Sequence, residues 1–122
     1  MDVLIVDDDQ DIRTRYAKLL ERAGYAVITA DNGLAALAML QDQTPRVILC
    51  DIQMAFLEGR AFYQELAKEH KELARRTVFI SGAGDDPEIQ AFAKATGRPL
   101  LTKPVDTNDL VAAVARVAEE KS

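Results

Sequence analysis

Asp2-Val3-Leu4-Ile5-Val6-Asp7-Asp8 is an apolar run that ends on two adjacent carboxylates. The same arrangement returns twice. Val47-Ile48-Leu49-Cys50 leads into a lone Asp51, and Leu100-Leu101-Thr102 leads into Lys103-Pro104. In a chain that alternates strands and helices, runs of this kind are parallel strands buried on both faces, and ligands bind beyond their carboxyl ends. Three carboxylates and one ammonium are therefore expected at one edge of a single sheet. Close carboxylates repel one another, so such a cluster holds a cation or a raised pKa. The first expectation is a divalent metal with an anionic group beside it.

The intervening segments carry helical spacing. Ile12, Tyr16, Leu19, Leu20 and Ala23 fall on one face, and Gly24 stops that helix. Tyr25 to Ala30 reads as the second strand. Asn32-Gly33 has the composition of a hairpin turn, but Leu34, Leu37, Ala38 and Leu40 follow at helical spacing, which favours a loop into a helix. Gly59 opens a third helix bearing Phe62, Tyr63, Leu66 and Ala67. The polar stretch around His70 reads as solvated. Thr77 to Ile80 is a fourth strand. Asp86-Pro87 reads as an N-cap followed by proline at the first helical position, and Asp106 caps a last helix that turns Leu110, Val111, Val114, Val117 and Ala118 inward. Five strands alternating with five helices predict an α/β fold: one doubly wound (βα)5 flavodoxin-like domain whose parallel five-stranded sheet runs in the order 2-1-3-4-5. Strands 1 and 3 would then be neighbours, and Asp7, Asp8 and Asp51 would converge.

Composition narrows the function. The chain has 122 residues, enough for one domain, and a net charge of −5 argues against a general phosphate-backbone binder. A single cysteine excludes an internal disulfide and, with a single histidine, a Cys/His zinc cage. No apolar run approaches the ~20 residues of a membrane helix and no signal-peptide pattern precedes the first strand, so the expected setting is cytoplasmic. Gly82-Ala83-Gly84 lacks the rest of a dinucleotide fingerprint, and there is no P-loop.

The oxygen-rich cluster suits Mg²⁺, which takes hard ligands and keeps several waters. Asp51 can ligate through one oxygen and attack phosphorus with the other, because carboxylate nucleophiles form acyl phosphates. Phosphoryl transfer asks a protein mainly for positioning and charge neutralisation, which Mg²⁺ and Lys103 would supply. Ser81, at the end of the fourth strand, offers a hydroxyl to a phosphoryl oxygen, and Gly82 and Ala83 leave room beside it.

Taken in order, Asp7-Asp8, Asp51, Ser81-Gly82 and Lys103-Pro104 strongly resemble the receiver domain of two-component response regulators over essentially all 122 residues. The resemblance implies one receiver domain across residues 1–122, Asp51 as the phosphorylation site, Asp51, Ser81 and Lys103 as the catalytic set, and Asp7, Asp8, Asp51 and the Gln53 carbonyl as Mg²⁺ ligands. It implies a phosphorelay protein that catalyses its own phosphorylation and is not otherwise an enzyme. The donor would be a histidine kinase or histidine phosphotransfer domain, and the resemblance leaves room for a kinase or output domain joined covalently in a parent protein. No direct contact with nucleic acid is implied. The Lys103-Pro104 bond is usually cis in that family. Two positions depart from its pattern: Met54-Ala55 replaces a common Met-Pro, and Leu100 stands where an aromatic ring usually moves inward on phosphorylation. The stretch through Thr102-Lys103-Pro104 looks more like receivers attached to hybrid sensor histidine kinases. The competing reading is a haloacid-dehalogenase-type phosphohydrolase with Asp7 as nucleophile. It is weakened because Asp85-Asp86 precedes Lys103 and because there is no room for a substrate-selecting cap.

Overall fold

The computed structural model describes residues 2–53 and 59–119. The Met54-Ala55 departure lies outside them. Five strands are present among the described residues: β1 (Val3–Val6), β2 (Val27–Ala30), β3 (Val47–Asp51), β4 (Thr77–Ser81) and β5 (Leu100–Thr102). All pairings are parallel, and the order is β2-β1-β3-β4-β5, as the alternation predicts. The register sets Val6 beside Cys50 and Asp51 beside Ile80. The residues just past β1 and those ending β3 and β4 therefore share one edge.

Alternation along each strand divides the interior into two cores. Leu4, Val6, Ile48, Cys50 and Phe79 face α2 (Gly33–Met39), α3 (Gly59–Glu69) and α5 (Pro87–Thr96), where Ala36, Phe62, Leu66 and Ile89 meet them. Val3, Ile5, Leu49, Val78 and Ile80 face α1 (Gln10–Arg22) and α6 (Thr107–Glu119), meeting Tyr16, Leu20, Leu110, Val114 and Val117. Burial on both faces explains why the strands read as continuous apolar runs.

The caps follow sequence chemistry. Asp9 accepts hydrogen bonds from the Asp11 and Ile12 amides at the start of α1, and Gly24 follows its end with a φ of 101°. Asn32 caps α2 through the Ala35 amide, so Asn32-Gly33 leads into a helix and not a hairpin. Asp86 and Pro87 start α5 as read, and Asp106 accepts from the Asn108 amide ahead of α6.

Some expectations need correction. A sixth helix, the single turn α4 (Lys71–Ala74), follows α3. Its only buried side chains are Leu73 and Ala74, too few to create a visible period. His70 at its N-terminus is half-buried, and its Nε2 is shielded without a hydrogen-bond partner among the described residues. β2 starts at Val27 and not Tyr25, because the Tyr25 amide is spent on the Leu20 carbonyl in closing α1. Leu34 is 60% exposed, since the buried stripe of α2 runs through Ala36 and on to Leu40.

Candidate functional site

Two charged side chains are buried among the described residues, and both lie at the carboxyl edge of the sheet: Asp7 is 2% exposed and Asp51 4%. An ion cannot be held there without partners. The Lys103 ammonium lies between them, its Nζ donating to Asp7 Oδ2 at 3.1 Å and to Asp51 Oδ2 at 3.0 Å. The other oxygens are held by main chain: Asp7 Oδ1 accepts the Asp9 amide and Asp51 Oδ1 accepts the Gln53 amide, both at 2.9 Å. Each carboxylate is thus oriented by an amide two residues ahead of it and neutralised by one shared cation.

The electrostatics follow from this geometry. Burial raises the Asp51 pKa above the ordinary carboxylate value; the Lys103 hydrogen bond and the Gln53 amide oppose the rise, and the Asp7 charge adds to it. Repulsion between the carboxylates is the cause the sequence suggests; burial comes first, and the Asp7 charge is a smaller contribution. For Lys103, burial works against the ammonium, yet hydrogen bonds and charge from Asp51 and Asp7 prevail and raise its pKa. Cys50, fully buried beside Asp51, has its thiol pKa pushed well up by burial and then by the Asp51 and Asp7 charges, so it stays an uncharged core residue.

Asp8 is exposed at the rim, and one carboxylate oxygen from each of Asp7, Asp8 and Asp51 lies within 4.8 Å of the others. This all-oxygen, acidic donor set fits Mg²⁺. The hydrogen bonds to Asp7 and Asp51 leave room for it, since an ionised carboxylate has about four lone-pair sites.

Ser81 ends β4 fully buried. Its Oγ accepts the Ala83 amide at 3.0 Å and contacts Gln53 Oε1 at 3.4 Å, which ties β4 to the segment after Asp51. The Lys103 amide donates to the Ser81 carbonyl at 2.9 Å, so serine and lysine are set side by side by strand pairing. The Lys103-Pro104 bond is cis, as the resemblance implies.

Two contributors escaped the sequence reading. Arg13 reaches from α1 to the Asp7 carbonyl, Nη1 to oxygen 2.7 Å, bracing the main chain at the acidic pair. No spacing rule announces a contact from a helix to the loop before it. Gly59 was read only as a helix start. A Cβ there would lie 2.5 Å from both the Asp51 carbonyl oxygen and the Ile52 Cα, so only glycine lets α3 begin against the end of β3.

A parallel sheet with this order, two carboxylates clasping a lysine at its edge and a third close by, defines a class of acceptor domain. The chain belongs to the response regulator receiver domain family, which it matches over residues 3–115. It is therefore a receiver domain of two-component signalling, and membership in this family sets aside the phosphohydrolase reading. The DNA-binding transcriptional regulator NtrC of Salmonella typhimurium is 36% identical over 93% of this chain and 24% of its own length. Protein PilH of Pseudomonas aeruginosa is 34% identical over 89% of this chain and 90% of its own. Among solved structures, the receiver domain of NtrX from Brucella abortus has a TM-score of 0.89 at 34% identity, covering 98% of this chain and 100% of that one. The resemblance to hybrid-kinase receivers does not stand out: the sensor kinase/phosphatase CqsS of Vibrio cholerae matches at 33% over 93% of this chain and 17% of its own, close to the NtrC value. The chain thus spans about a quarter of NtrC, a sixth of CqsS and most of PilH. No helix among the described residues is long and apolar enough to cross a membrane.

Proposed function

We propose that the 122 residues act as one receiver unit that takes a phosphoryl group onto Asp51 from a phosphohistidine donor, a histidine kinase or histidine phosphotransfer domain. The observation that carries this reading is the Lys103 ammonium held by Asp7 and Asp51 at 3.1 and 3.0 Å, in a buried cluster to which exposed Asp8 adds a third carboxylate. Asp7, Asp8 and Asp51 would hold Mg²⁺ together with the Gln53 carbonyl. When bound, the ion supplies positive charge for the phosphoryl oxygens.

The chain's own groups do the rest. An Asp51 oxygen attacks phosphorus as the donor's P–N bond breaks, and the leaving imidazole recovers a proton. Lys103 keeps Asp51 ionised in the resting site, then turns its ammonium toward the acyl phosphate, which presents more negative charge than the carboxylate did. Ser81 releases Gln53 Oε1 and donates to a phosphoryl oxygen, drawing the 82–86 loop inward. The switched surface is the face made by that loop and the last helices. A kinase or output domain joined to this chain would read that face. The test is phosphorylation with acetyl phosphate and Mg²⁺ in wild type and Asp51→Asn: the reading requires one alkali-labile, hydroxylamine-labile phosphoryl group in the first and none in the second.

A further inference from the structure

Asp8 is the exposed member of the acidic cluster, so burial does not hold it as it holds Asp7 and Asp51. The direction in which its side chain leaves the backbone depends on the two peptide planes that flank it, and both are tied. Behind it, the Asp7 amide donates to the Ala30 carbonyl of β2 at 3.2 Å, and the Asp7 carbonyl accepts from Arg13 Nη1 at 2.7 Å. That carbonyl belongs to the peptide that joins Asp7 to Asp8. Ahead of it, the Asp9 amide donates to Asp7 Oδ1 at 2.9 Å, and the Asp9 carboxylate caps α1. The Arg13 amide closes the same turn on the Asp9 carbonyl at 3.0 Å. The guanidinium is the unexpected member of this set. It brings a positive charge to the border of a site whose carboxylates suit a divalent cation, where charge alone would favour its absence.

We propose that Arg13 is a positioning residue for the metal site: its bond to the Asp7 carbonyl fixes the Asp7–Asp8 peptide, so that the exposed Asp8 carboxylate stays within reach of an ion shared with Asp7 and Asp51. The proposal rests on the reading of this cluster as the Mg²⁺ site. Two effects of Arg13 then oppose each other. Its charge repels the ion, while its short, charge-assisted hydrogen bond holds the donors in register. Arginine suits the task because its planar fork is organised before it bonds and its charge does not change with pH. Groups one step removed from a metal typically change its affinity about ten- to a hundredfold. Here repulsion offsets part of that, and only one of the three carboxylates is loosened, which sets the expected loss at the low end.

The experiment titrates Mg²⁺ alone, followed by amide NMR, into wild type, Arg13→Met and a charge control, Lys18→Met, with urea melts to establish that each is folded. Lys18 lines the same groove beside α1 as Arg13, so its loss removes a positive charge there and leaves the 7–9 turn intact. Two signals are read: the Asp8 amide nitrogen of the metal-free protein, which senses polarisation of the Asp7 carbonyl it is bonded to, and the Mg²⁺ affinity from shifts at Asp8 and Asp51. In Arg13→Met the Asp8 nitrogen should move and affinity should fall about tenfold. In Lys18→Met the nitrogen should stay and affinity should hold or rise slightly. Unchanged or higher affinity in Arg13→Met overturns the proposal, because the residue then acts through its charge. Lower affinity with an unmoved Asp8 nitrogen overturns it as well, and so does an equal fall in Lys18→Met. Wild type gives a further check should Arg13→Met fail to fold. The Arg13 Nη resonances should be those of a hindered, bonded guanidinium and stay so at saturating Mg²⁺, and their release on adding the ion overturns the proposal. Absence of any saturable Mg²⁺ shift at Asp8 and Asp51 in wild type would instead refute the metal assignment, and the Asp8 nitrogen would still report on the Arg13 contact.

Discussion

Replacing Lys103 by Met keeps the aliphatic stem and deletes the charge that Asp7 and Asp51 share. Two charge-assisted hydrogen bonds disappear, 3.1 and 3.0 Å long, to carboxylate side chains only 3% and 5% exposed. Each such bond contributes about 1.5–3 kcal/mol. The gain on removing a partly buried ammonium offsets part of that loss, and the 20% exposure of the lysine side chain places it below the range for a fully buried pair. We predict a net loss of about 2–4 kcal/mol at pH 7.5 without Mg²⁺. The pH dependence has a definite sign. The Asp51 pKa is already raised in the wild-type fold, so the native state holds that proton more tightly than the unfolded chain does. Stability from this group falls as pH rises from about 3.9 through the raised native value. Without the ammonium, the two carboxylates face each other and that window extends upward. The variant should therefore lose less at pH 5 than at pH 7.5, and Mg²⁺ should restore part of the deficit by replacing the missing cation. Urea unfolding at both pH values, with and without Mg²⁺, measures all of this. A loss below about 0.5 kcal/mol, or an equal loss at both pH values, would refute the reasoning, since exposed pairs contribute about that little.

Asp8→Asn should flatten the response of the melting temperature to Mg²⁺, which in wild type corresponds to about 1.4 kcal/mol at ten times Kd; identical titrations would remove Asp8 from the metal site. Gly59→Ala should cost about 1–3 kcal/mol in urea and slow phosphorylation, because the added carbon meets main-chain atoms at 2.5 Å that cannot rotate away; a change under about 0.5 kcal/mol would mean α3 shifts freely. On adding beryllofluoride, amide shifts should concentrate at Ser81 and residues 82–86, with Leu100 quiet, since Leu100 packs half-buried against the core and has no polar handle; the reverse pattern would place the switch in β5. Lys103 also contributes stability that is fully present below about 10.4 and lost as pH rises through its raised native value, so Lys103→Met should abolish the alkaline limb attributable to that group in a pH-dependent urea series.

The architecture was legible because burial on both faces makes each strand a continuous apolar run, and because Asp9, Asn32, Asp86 and Asp106 announce helix starts in ways that depend only on local chemistry. The convergence of Asp7, Asp51, Ser81 and Lys103 followed from strand order alone. Features that depend on tertiary approach were hidden. Gly59 looked like a helix start, whereas its missing Cβ matters because of the Asp51 carbonyl. The resting position of Lys103 was also unreadable: sequence placed it near the acceptor, but its engagement of both Asp7 and Asp51 depends on where a flexible stem settles when no phosphoryl group is present.

The central claim is that Asp51, and no other carboxylate, accepts the phosphoryl group. Intact-mass and peptide mass spectrometry after acetyl phosphate and Mg²⁺, with borohydride reduction to mark the acyl phosphate, tests it directly. The account predicts a single +80 Da adduct that maps to Asp51, is lost without Mg²⁺ and is absent from Asp51→Asn. An adduct at Asp7, or undiminished incorporation in Asp51→Asn, would contradict it.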